Sequence, residues 1–118
     1  MQTENRKFRR ITVPCKISVS SSDGGKVFNC HTENISAGGI MIITEEELSS
    51  SSPVDLELSL WHSSKPLKCK GKVAWMNEVV PKEVKPRLFN MGIEFVDISD
   101  SDRDAVSKFV NFISTMDR

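Results

Sequence analysis

Tyrosine is absent from this 118-residue sequence, histidine occurs only at positions 31 and 62, and no apolar run nears the roughly 20 residues needed to cross a bilayer. The last point excludes a membrane-spanning helix. Without tyrosine, only phenylalanine and tryptophan can stack bases, which counts against a single-stranded nucleic-acid binder of the OB type. His31 and His62 have no acid at a suggestive spacing, so the many serines find no nucleophile–base–orienter set. Net charge is missing too: Lys and Arg number 16, as do Asp and Glu, so no bulk pull on DNA, RNA or an anionic membrane is expected. Cysteine is sparse. Cys15, Cys30 and Cys69 are scattered and odd in number, which argues against a disulfide framework, and their spacing matches no zinc pattern. The first residues hold no apolar leader segment, so no signal peptide is expected and a reducing cytoplasm is the expected location.

What remains is ordinary globular composition, 38% hydrophobic and 27% charged, at a length that fits one domain with one core. The charges are unevenly placed. Arg6, Lys7, Arg9, Arg10 and Lys16 cluster at one end, whereas Glu45, Glu46 and Glu47 form an acidic connection.

Residues 1–10 read as a flexible basic arm, and residues 11–118 as a single domain. Ile11, Val13, Cys15, Ile17 and Val19 alternate with polar residues, the pattern of a half-buried strand, with Pro14 marking an edge or bulge. Ser21–Gly25 is a hairpin turn, and Val27 to Thr32 a second strand. Ile40 to Thr44 is a third. Glu45 to Ser52 reads as a loop with room for one helical turn at Glu45–Leu48. Val54 to Leu60 and Leu67 to Trp75 are the fourth and fifth strands, the latter with a lysine-bearing outer face, and Phe89 to Phe95 is the sixth. Trp61 is out of phase with its strand and is expected at the surface. Trp75 is in phase with its own, which favours core packing over a stacking role. Ser99 can cap a helix, and Val106, Phe109, Val110, Ile113 and Met116 recur at three- and four-residue spacing, which predicts an amphipathic helix over about 100–116. With no helices between the strands, the pattern predicts an antiparallel all-β barrel closed by one terminal helix.

Two motifs carry candidate chemistry. Asn34-Ile35-Ser36-Ala37-Gly38-Gly39 reads N-x-S-x-x-G. An amide, a hydroxyl and paired glycines that permit positive φ suit a rigid inter-strand turn that reads a planar polar group. By itself the motif is equally the composition of a plain turn. Arg6 and Arg10 form R-x-x-x-R in the arm. Guanidinium can fork onto a guanine edge, grip a phosphate or stack on a purine. By itself this motif is a solvated basic tail.

The two motifs in this order, followed by Gly71-Lys72-Val73-Ala74-Trp75, Met91-Gly92-Ile93-Glu94-Phe95 and a terminal helix, resemble a PilZ domain over about residues 6–113. The resemblance implies a six-stranded antiparallel β-barrel plus a C-terminal α-helix, and binding of cyclic di-GMP, a bacterial second messenger, with no further cofactor and no metal. It implies that Arg6 and Arg10 contact guanine edges and phosphates, that Asn34 and Ser36 contact a guanine, and that Gly39 keeps the turn tight. Lys7, Arg9, Gly38 and Trp75 are secondary candidates. Asn34 stands where many relatives carry Asp, so the strong charged acceptor for guanine donors is lacking there. The expected role is a receptor without catalysis that orders its arm and signals to an effector protein. The alternatives are a PilZ-like adaptor that binds no nucleotide and serves motility or pilus assembly, and an enzyme on a small split barrel using a flavin.

Overall fold

The structure, a computed structural model, describes residues 10–61 and 65–116. The alternating runs form strands β1 (Lys16–Ser21), β2 (Val27–Ser36), β3 (Gly39–Thr44), β4 (Pro53–Leu58), β5 (Leu67–Glu78) and β6 (Phe89–Asp97), and helix α1 spans Asp100–Met116. They close in the order β1-β2-β3-β6-β5-β4, with every neighbouring pair antiparallel. The predicted fold class, an all-β barrel with one C-terminal helix, is the one observed. Inward positions supply the core: Val19, Ile35, Ile40, Ile42, Val54, Leu58, Val73 and Met91 are fully buried.

Helix α1 starts as its sequence dictates. Ser99 Oγ accepts from the Asp102 backbone N–H at 3.0 Å, and Arg103 N–H makes the first helical bond to Ser99 O at 2.9 Å. Val106, Phe109 and Val110 are buried and join the barrel core. Trp61, exposed as expected, packs edge-on against Phe109 and Phe112, with ring centroids 4.7 and 5.4 Å away.

Several expectations need correction. The first strand begins at Lys16, not Ile11. Pro14 has no N–H for a ladder, and the Thr32 hydroxyl substitutes by accepting from Cys15 N at 3.0 Å and donating to Val13 O at 2.8 Å. Ile11 still reaches the sheet through an isolated bridge to Ile35, with both hydrogen bonds at 3.0 Å. No helical turn forms at Glu45–Leu48. There the Thr44 hydroxyl accepts from Glu46 N, and Lys26 Nζ donates to Glu47 O at 2.8 Å, so side-chain bonds hold an irregular connection. β5 and β6 both run past their expected ends, and Arg87 fixes the end of their hairpin with a two-point pair to Glu78 at 2.8 and 3.0 Å. That contact holds the Glu78 carboxyl below its ordinary range.

Candidate functional site

Asn34, Ile35 and Ser36 belong to β2 and not to a loop; only Ala37 and Gly38 lie between β2 and β3. Alternation sends Ile35 into the core and Asn34 and Ser36 to the outer face. Neither Gly38 nor Gly39 takes the positive φ that glycine permits; among the described glycines that belongs to Gly24. Gly39 is required for another reason. It pairs with Glu94 of β6, and a Cβ there would run into the backbone carbonyl of Ile93.

The Ser36–Gly39 hairpin is tied on three sides. Ser36 Oγ accepts from Gly38 N at 3.1 Å and donates to Gly39 O at 3.4 Å. Gly38 O accepts from Phe95 N of β6 at 3.0 Å. Ala37 O accepts from Arg103 Nη1 of α1 at 2.8 Å. The helix that seals the core therefore also braces the motif. Ser36 is 3% exposed, and its hydroxyl keeps one lone pair that the hairpin does not use.

Beside the hairpin lies a cavity of about 460 Å3. It gathers Arg10, Asn34, Ser36, Gly38, Gly39 and Trp75, six of the nine residues singled out from sequence. Arg6, Lys7 and Arg9 lie outside the described residues. Arg10 Nη1 donates to Asn34 Oδ1 at 2.7 Å, so the last residue of R-x-x-x-R meets the first of N-x-S-x-x-G. The Ile11–Ile35 bridge brings Arg10 to that point, beside the motif.

Trp75 is not a core residue. It is 40% exposed and lines the cavity. The register of β5 on β6 shifts between Val73 and Trp75, and the extra residue, Ala74, turns the indole to the outer face. There it lies over Gly92, where a Cβ would collide with the indole Nε1 and Cε2. Gly92, Met41 and Glu94 also line the cavity and were not picked out from sequence as site residues. A lone glycine inside a strand, as at Gly92, is the one signal that pointed to a close approach.

The cysteines carry little reactivity. Burial pushes the Cys30 and Cys69 thiols up to about 11, so both are protonated at neutral pH. Among the described residues no cluster suits a metal ion, and no helix is long and apolar enough to cross a membrane.

A family model for the PilZ domain matches residues 4–112. The chain belongs to the PilZ family. No curated protein sequence matches it. Among solved structures, this PilZ chain is similar to the inhibitor of motility MotI/DgrA of Bacillus subtilis, with a TM-score of 0.80 at 19% identity, covering 98% of this chain and 54% of that one. It is similar to the PilZ domain of YcgR from Escherichia coli with c-di-GMP, with a TM-score of 0.74 at 13% identity over 98% of this chain and 95% of that one. It also resembles the MrkH–c-di-GMP complex of K. pneumonia, with a TM-score of 0.75 at 13% identity over 97% and 54%. At these identities the likeness is one of fold. The chain spans about half the length of the MotI/DgrA and MrkH chains.

Proposed function

We propose that this PilZ chain is a cytoplasmic receptor for cyclic di-GMP that acts by binding and has no catalytic step of its own. The observation that carries this reading is the Arg10–Asn34 contact at the rim of the 460 Å3 cavity, which joins the two motifs in space. A cavity of that size lies within the range of small-ligand sites. YcgR and MrkH, whose folds it shares, are each known with c-di-GMP.

On this reading Arg6 and Arg10 supply cations to the two phosphates and forked donors to guanine edges, with Lys7 and Arg9 adding charge. Asn34 reads a guanine from β2. Ser36 contributes its remaining lone pair to a guanine N–H. Gly38 and Gly39 leave backbone open to the ligand, and the Trp75 indole offers a face for stacking. Binding pins residues 1–10 against the barrel and so creates a surface for an effector protein. The ligand shifts the arm only by its differential affinity for the closed state.

Thermal unfolding of the parent, Arg6→Ala and Arg10→Ala with and without cyclic di-GMP tests the clamp. A bound nucleotide raises the parent midpoint by mass action, and neither variant responds, while both ligand-free midpoints barely move. A variant that responds like the parent removes the arm from the site. No response from the parent would favour the other reading, a PilZ-fold adaptor for motility or pilus assembly that works through protein contacts alone.

A further inference from the structure

The outer face of the sheet presents two parallel rows of residues beside the hairpin. One row runs Ser36, Gly39, Glu94, Lys72 across β2, β3, β6 and β5; the other runs Asn34, Met41, Gly92, Trp75. Each row contains a glycine at a close approach, Gly39 against the backbone of β6 and Gly92 beneath the Trp75 indole. Neighbouring strands lie about 4.8 Å apart, so Gly39 is flanked by Ser36 on one side and Glu94 on the other. Among the described residues that line the cavity, Glu94 is the sole carboxylate.

Its place matters because of what Asn34 does. Asn34 is neutral, and its carbonyl oxygen already accepts from Arg10 at 2.7 Å. A guanine presents two adjacent donors, N1–H and the N2 amino group, which together call for a charged two-oxygen acceptor. A carboxylate facing an anionic ligand repels it unless it accepts hydrogen bonds from that ligand. We propose that Glu94 is the specificity-determining residue of the site: its carboxylate takes the N1–H and N2–H donors of one guanine, the task that Asn34 cannot perform. The inference rests on the cyclic di-GMP reading and names the group that selects the base. Adenine has a lone pair at N1 and no amino group at C2, so it would meet Glu94 acceptor against acceptor. Cyclic di-AMP is thereby rejected by a carboxylate set against an acceptor, not merely held less well.

The test is competition binding of cyclic di-GMP and cyclic di-AMP to the parent and to Glu94→Gln, a substitution at an exposed strand position that keeps shape and removes charge. Glutamine can donate as well as accept, so it tolerates either base. The variant is expected to lose about tenfold in cyclic di-GMP affinity, to gain in cyclic di-AMP affinity, and so to lower the ratio of the two by more than tenfold. A structural role for Glu94 would move both ligands together. Adding Asn34→Asp to the Glu94→Gln variant restores part of the guanine preference by returning one carboxylate to the rim. An unchanged ratio in Glu94→Gln, with the parent binding cyclic di-GMP, overturns the assignment of Glu94 and leaves the receptor reading intact. A parent that binds neither nucleotide overturns both.

Discussion

Arg10 and Asn34 meet through one hydrogen bond of 2.7 Å, and the character of that bond sets the strength of the site. With asparagine it is a bond from a cation to a neutral oxygen. Aspartate would place two oxygens there, one for Arg10 and one for the ligand, and both bonds would go to a charged acceptor. Asn34→Asp is therefore expected to tighten cyclic di-GMP binding several-fold, about 1 kcal/mol. Titration calorimetry of the two forms decides it, and equal or weaker binding by the aspartate form contradicts it. Single residues were unevenly legible. The polar pair Asn34 and Ser36 could be named because their chemistry is visible in the letters. Trp75 was misplaced because its side depends on a bulge at Ala74, and nothing in an unbroken alternation announces an extra residue. Glu94 was not singled out, since only the pairing of β3 with β6 brings it beside Gly39.

At the scale of elements, Gly39 joins two strands and a hairpin. A methyl group there would press on the Ile93 carbonyl, a backbone atom that cannot swing aside. Gly39→Ala is expected to cost about 2 kcal/mol, in the range of overpacked interiors. Urea unfolding should show the lower midpoint. An unchanged midpoint would mean that β3 and β6 can part without loss, and that the glycine serves the ligand alone. The helix over Asp100–Met116 was legible because cap, acidic first turn and apolar stripe agree with one another. The strands were legible as elements but not at their ends. β1 loses its first residues to Pro14, and Thr32 repairs the gap by side-chain bonds across distant positions, a substitution that local pattern cannot reveal. The bond from Arg103 to Ala37 O belongs to the same class. A cation just past the acidic first turn of a helix looks like a surface charge until the hairpin it braces is in view.

For the molecule as a whole, closure of β1 on β4 makes the barrel, and the Ile11–Ile35 bridge decides where the chain enters it. The class of fold followed from period-two runs and a single terminal helix. The order β1-β2-β3-β6-β5-β4 did not, because alternation states which face is buried and not which strand lies alongside. That order matters for function: with β6 between β3 and β5, the hairpin, Glu94, Gly92 and Trp75 share one cavity at the point where Arg10 arrives. The central claim is that this cavity and the basic segment together hold a guanine dinucleotide. Calorimetric titration of the full chain with cyclic di-GMP, GTP and cyclic di-AMP addresses it most directly. The account predicts saturable binding of cyclic di-GMP with a defined stoichiometry and at least about tenfold weaker binding of the other two; absence of saturable binding, or equal affinity for all three, would contradict it.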